Sequence, residues 1–109
     1  LSSSAILPAV LAILFGGFAT AALAEPPAAR QKELVHLVRQ DCGSCHGLTL
    51  QGGLGPALLP ATLAGKPVEG LVATIIGGRT GTPMPPWHRF LTEDEAEWIV
   101  AKLMAGFPE

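Results

Sequence analysis

Hydrophobic and polar positions follow different rules in different parts of this chain. From Ile6 to Phe18 apolar residues run on with no helical or strand period, and no charged residue occurs before Glu25. Periodicity begins at Arg30–Asp41, where Leu34, Leu37 and Val38 stand at i, i+3 and i+4 with charges between them, the pattern of an amphipathic helix. A second helix is predicted over Val68–Ile76, with Leu71, Val72, Ile75 and Ile76 on one face and Gly77-Gly78 as its stop. A third begins after Thr92, where Thr at the N-cap and Glu95 three residues on form the capping-box pattern and Glu93, Asp94 and Glu95 suit the helix dipole. Its apolar face is Ala96, Ile99, Val100 and Leu103 with Met104 alongside, and Gly106 and Pro108 end it. No segment alternates like a strand. The expectation is an all-α fold of three main helices.

Between these helices lie two breaker-rich stretches, residues 47–67 and 79–89, read as long loops. Loops longer than about 12–15 residues in a compact domain are usually functional or disordered. These contain Leu48, Leu50, Leu54, Leu58, Leu59, Leu63, Met84 and Trp87, too apolar a set for disorder. They are expected to wrap something apolar that is not polypeptide.

Composition sharpens this picture. The 49% apolar content is unevenly spread, and all seven basic and nine acidic side chains lie beyond residue 24. Residues 1–24 read as an export signal, with Ala22-Leu23-Ala24 supplying the small residues before a cleavage site, or as an uncleaved membrane anchor spanning Ala5–Ala24. Contact with a membrane is expected only if this segment stays uncleaved. Either way residues 25–109 are expected to cross a membrane into an oxidising compartment, where two thiols would react. At that length a hydrophobic core alone supplies only about 3–5 kcal/mol, so something else must staple the fold. A chain of 109 residues excludes a two-domain enzyme, two cysteines exclude a disulfide scaffold, and a net charge of −2 argues against nucleic-acid binding.

Cys42-Gly43-Ser44-Cys45-His46 supplies the staple. C-x-x-C-H is the attachment sequence for c-type haem: two thiols add across the porphyrin vinyl groups, and the following His coordinates the iron. A thioredoxin-like pair would need a βαβ context that a helical pattern lacks. Tetrahedral zinc would need four ligands, and there is no second C-x-x-C. A local disulfide is the remaining alternative. The export segment, the apolar loops and a downstream Met favour one covalent haem, held by Cys42 and Cys45 with His46 as the proximal ligand.

Met84, Met104, His36 and His88 are the candidates for the sixth ligand. Met84 lies in Thr82-Pro83-Met84-Pro85-Pro86-Trp87, where prolines remove backbone freedom and can hold a thioether in place. Met104 falls on the last helix as packing, His36 is one position off its helix's apolar stripe, and His88 is the rival that could replace Met84. His/Met ligation predicts low-spin, six-coordinate iron with a positive potential. A ligating His normally donates its other ring N–H to an acceptor, and the carbonyl of Pro56, ten residues after His46, is the candidate. Arg79 reads equally as a partner for a haem propionate or as a solvated side chain. Trp87 and Trp98 read as packing residues.

The helix before Cys42, the motif CGSCHG, the Gly-Leu-Gly-Pro turn at 53–56, the loop TPMPPW and the final helix together resemble the class I monohaem c-type cytochromes. Within them, DCGSCHGLTLQGGLGPALLP and GGRTGTPMPPW are most similar to the small NirC-type cytochromes that accompany haem cd nitrite reductases. The resemblance implies a class I cytochrome c fold over residues 25–109 and no catalytic residue. It also implies periplasmic electron transfer in denitrification by a monomer that serves nitrite reductase or assists maturation of its d-type haem. A haem enzyme or ligand sensor, with a displaceable sixth ligand and His88 as its distal group, is the competing class. One departure stands out: class I proteins place a Gly about two turns before the first Cys, where this chain has Leu34.

Overall fold

The computed structural model describes residues 2–14, 16–17 and 25–108. The cleavage site read at Ala22-Leu23-Ala24 lies outside the described residues. Residues 2–14 form no helix and are exposed, and among the described residues no helix is long and apolar enough to cross a membrane.

The described chain is helical, with α1 at Ala28–Leu37, α2 at Gly43–His46, α3 at Pro60–Leu63, α4 at Val68–Gly77 and α5 at Glu93–Ala105, and it contains no strand. Between α1 and α2 a π-helical turn, Val38–Cys42, keeps the backbone helical up to the ligand-bearing motif. The first helix therefore does not stop at Asp41. Such π turns are rare and concentrate at functional sites. The stretch 47–67 is not wholly loop either, since α3 begins at Pro60. A proline at the first helical position has a preset φ and lacks only an N–H that would be unpaired there anyway, so it starts this helix rather than breaking it.

Helix α5 starts as its sequence predicts. Glu95 N donates to Thr92 Oγ1 at 3.1 Å and Thr92 N to Glu95 Oε1 at 3.0 Å, which satisfies two backbone donors at the helix start. Ala96, Ile99, Val100 and Leu103 are all buried, and so is Trp98. The main core joins α1 to α5 through Leu34, Val38, Trp98, Ile99 and Leu103, with Leu50, Leu63 and Leu91 from the connecting segments. Val72 of α4 packs with Ala96 and Val100 in a second cluster. Leu34, where a Gly would let helices cross closely, is fully buried in the same core cluster as Trp98, Ile99 and Leu103. Trp98 Nε1 is buried with no hydrogen-bond partner among the described residues.

Arg30 ties the two terminal helices together at the surface. Its guanidinium pairs with the Glu95 carboxylate, donates to Glu33 Oε2 at 2.8 Å and donates to the Phe90 carbonyl at 3.0 Å. The guanidinium beside it holds the Glu95 carboxyl below the usual carboxylate range, and Glu95, then Glu33, raise Arg30 above its ordinary value.

Candidate functional site

A cavity of about 590 Å³ opens between the π turn with α2, the loop after His46, and the segment from α4 to Leu91. Its floor is apolar, with Leu63, Leu91, Ile99, Val100 and Leu103 from the core. Cys42, Cys45 and His46 stand on one part of the wall, and Met84 reaches it from the proline loop. Met84 is far from the other three in the chain, and the fold brings all four onto one cavity. His36, His88 and Met104 do not line it, and both histidines are exposed.

The sequence supplies the local reasons for each placement. Cys42 closes the π turn and Cys45-His46 the following helical turn, so thiols and imidazole share a helical surface. Gly47, with φ +92°, ends that helix and turns the chain back over it. Gly52 N then donates to His46 O at 2.7 Å and Gly55 N to Cys45 O at 2.8 Å, folding residues 51–56 against the motif. His46 Nδ1 lies 2.7 Å from Pro56 O. A carbonyl only accepts, so Nδ1 carries the proton and Nε2 is left with a free lone pair. A Cβ on Gly55 would sit 2.8 Å from the His46 ring, so only glycine permits this contact.

Met84 is placed through its own backbone rather than its side chain. Its carbonyl accepts from Arg79 N at 3.1 Å, and its N–H donates to Thr82 Oγ1 at 3.3 Å, while that hydroxyl donates to Arg79 O at 2.8 Å. Trp87 N and His88 N donate to Ile75 O and Ile76 O, so the last turn of α4 holds the far end of the loop. Gly78, with φ 67° and ψ −172°, lies so close beneath that a Cβ would stand 2.8 Å from Met84 O, Pro85 C and Pro86 N. That backbone region is essentially glycine-only. Sequence reading identified Met84 but missed Thr82, Gly78 and the α4 carbonyls, whose only signal was the dense Gly and Thr around the prolines.

The apolar loop residues divide into groups. Leu54, Leu58, Leu63, Met84 and Trp87 line the cavity, whereas Leu50 is buried in the protein core and Leu48 and Leu59 do neither. The expectation that all of them wrap a non-protein object therefore holds only for the first group. Leu50 has φ 61°, and its conformation is held by the bonds Leu50 N to Gly47 O and Leu58 N to Leu50 O.

The chemistry of the wall discriminates between the readings of C-x-x-C-H. Both cysteines are free and half-buried. Burial, helped by the charge of Asp41, pushes the Cys42 thiol up to about 11. A thioredoxin-like pair needs a depressed thiol pKa, so this shift runs the wrong way for redox exchange. Among the described residues no group of three His, Cys, Asp or Glu side chains gathers as zinc would require. What fits is an apolar group with an edge to which two thiols can add and a metal that His46 Nε2 can reach. The volume lies within the range of about 300–1,000 Å³ common for cofactor sites.

Comparison with known proteins gives the chain a family. Residues 29–101 match the family described as cytochrome c oxidase, cbb3-type, subunit III. The chain is 62% identical over 81 residues to cytochrome c55X of Pseudomonas aeruginosa, a match that spans 74% of this chain and 68% of that protein. The chain belongs to the cytochrome c55X family. The solved structure of the c-type cytochrome NirC superposes with a TM-score of 0.73 at 60% identity, covering 74% of this chain and 95% of that one. A more distant likeness, 38% identity over 73 residues, is to dihydro-heme d1 dehydrogenase of P. aeruginosa, 66% of this chain matching 15% of that protein. As a member of this family the chain is an electron-transfer cytochrome with a covalently bound c-type haem, built on an all-α cytochrome c fold.

Proposed function

We propose that the chain is a periplasmic electron carrier whose haem iron is ligated by His46 and Met84 and which serves nitrite reductase in denitrification, residues 1–24 being its export segment. The observation that carries this reading is that His46 and Met84 line the same apolar cavity as Cys42 and Cys45, while His36, His88 and Met104 do not. Bound there, the haem supplies a one-electron iron couple that thioether ligation biases toward the reduced state. Cys42 and Cys45 hold the group, His46 is kept in one tautomer by Pro56 O, and the proline loop presents Met84. With His46 and Met84 both engaged by the iron, the haem would offer no site for a substrate.

Partner contact falls at the mouth of the cavity. Leu54 is 76% exposed there, and Pro83 and Pro85 are exposed beside it. This is a small apolar patch suited to brief docking. Lys66 and Arg79 line the same cavity, whereas Arg89 does not.

The test is spectroscopic. The oxidised holoprotein should show the near-infrared sulfur-to-iron charge-transfer band, and Met84→Ala should lose it. Retention of the band in Met84→Ala would overturn the ligation. Rapid binding of carbon monoxide by the reduced wild type would favour the open-site enzyme or sensor instead. A second reading, a redox or assembly partner in maturation of d-type haem, is favoured by the likeness to dihydro-heme d1 dehydrogenase. Electron transfer from the reduced protein to purified nitrite reductase separates the two, and failure at physiological salt would favour the maturation role.

A further inference from the structure

Besides His46 and the two thiols, three ionisable side chains reach the cavity wall, and their signs are sorted by position. Asp41 adjoins Cys42, at the thiol side. The two cations come from elsewhere, Lys66 from the turn between α3 and α4 and Arg79 from just beyond α4. Among the described residues neither has a carboxylate within ion-pair distance, for the ion pairs present all belong to Arg30. Other cations are engaged elsewhere: Arg39 donates to the Phe107 and Pro108 carbonyls, and Lys102 lies 5.4 Å over the Trp98 ring.

Arg79 is also the better fixed of the two. Its N–H is taken by Met84 O and its carbonyl by Thr82 N and Thr82 Oγ1, so the base of the side chain is set by the same turn that places Met84. Both cations are exposed and unpaired yet line the apolar cavity, where they can meet anions carried by whatever fills it. A c-type haem brings two, its propionate carboxylates. Vinyl groups and propionates occupy different edges of a porphyrin, so attachment at Cys42 and Cys45 turns the carboxylates away from Asp41.

We infer that Arg79 and Lys66 hold the two propionates of the haem, Arg79 through its planar fork and Lys66 as a point charge. The pair thereby positions the haem edge and sets part of its potential. Reduction lowers the positive charge at the iron by one, so a nearby cation favours the reduced form. Removing the cation should lower the midpoint potential.

The experiment uses holoprotein carrying Arg79→Gln, Lys66→Gln or Arg79→Lys, with the midpoint potential and the propionate-bending bands of the resonance Raman spectrum as readouts. Both Gln variants should have lower potentials than wild type, Arg79→Gln by more, each with a moved propionate band. Arg79→Lys should recover most of the potential while its band stays displaced, because an ammonium cannot reproduce the fork. Wild-type potential and wild-type bands in both Gln variants would overturn the inference. So would variants that keep both signatures and only lose salt-sensitive electron transfer to nitrite reductase, since the cations would then serve docking. The inference rests on the covalent haem and not on Met84: loss of the near-infrared band in Met84→Ala tests the ligand, while the propionate bands report the carboxylates whichever group fills the sixth position.

Discussion

The two ligand-bearing walls of the cavity are built on different principles. On the His46 wall the side chain itself is tied down, by Nδ1 to Pro56 O at 2.7 Å, and its helical turn is bonded twice to residues 52–55. On the Met84 wall the thioether can make no comparable bond, so all the ordering sits in the backbone, through Thr82, Arg79 and the end of α4. The imidazole would keep its orientation through modest movement of its surroundings. Met84 would not, because it is only as well placed as its loop. Met84 is thus the point at which this fold yields first.

The largest effect that would test this contrast is expected from Gly78→Ala. The new Cβ meets three backbone atoms of the Met84 loop at 2.8 Å, in a conformation that itself costs about 1–3 kcal/mol for a residue with a side chain. Holoprotein should still form, with its thioethers and His46 intact, but the near-infrared band should be lost and carbon monoxide should bind on reduction. A Gly78→Ala protein with an unchanged band would break the comparison. Gly55→Ala is the matching change on the other wall, where the added atom meets the His46 ring at 2.8 Å. Overpacking of this kind costs about 1–3 kcal/mol, and here it should displace the ring from Pro56, lowering thermal stability while the methionine band persists.

A smaller effect is expected from Thr82→Val, which keeps the shape of the side chain but removes both hydroxyl bonds at the base of the Met84 loop. At about 1 kcal/mol it should lower the temperature at which the near-infrared band disappears, with less effect on global unfolding followed by far-UV circular dichroism.

The smallest concerns the Arg30–Glu95 pair, which joins α1 to the start of α5 and, through Phe90 O, to the chain leaving the Met84 loop. Arg30 depresses the Glu95 carboxyl, so the pair's stabilisation is full above the ordinary carboxylate range and disappears as pH falls through the lower folded value. Glu95→Gln should therefore be less stable than wild type at pH 7, by no more than about 1 kcal/mol for a partly exposed pair, with the difference vanishing in acid. Denaturant unfolding at several pH values measures it, and a difference that grew in acid would contradict the sign.

Helix ends were legible in the chain because their signals are local. Thr92 and Glu95 lie within one turn of each other, and Gly77-Gly78 and Gly106 act on the residues beside them. Pro60 was misread because the same residue starts a helix at its first position and breaks one elsewhere, which only the surrounding backbone decides. The π turn at Val38–Cys42 carries no periodic signature, so Arg30–Asp41 was read as one regular helix, and the helical turn Gly43–His46 beyond it was not read as helix.

For the site, the order of chemical groups was legible too. C-x-x-C-H names its own chemistry because vinyl addition and iron ligation demand those residue types at that spacing, and a Met among prolines marks a fixed sulfur. Sequence alone determined that this chain is helical, that an apolar group must complete its core, and which residue types could hold that group. Only the tertiary structure decided which leucines face the cavity and which face the protein, that His88 and Met104 stay off it, and that Gly55 and Gly78 lie under the two ligand loops. Those are contacts between residues distant in the chain or between loop and loop, and they depend on how the helices pack rather than on any local pattern.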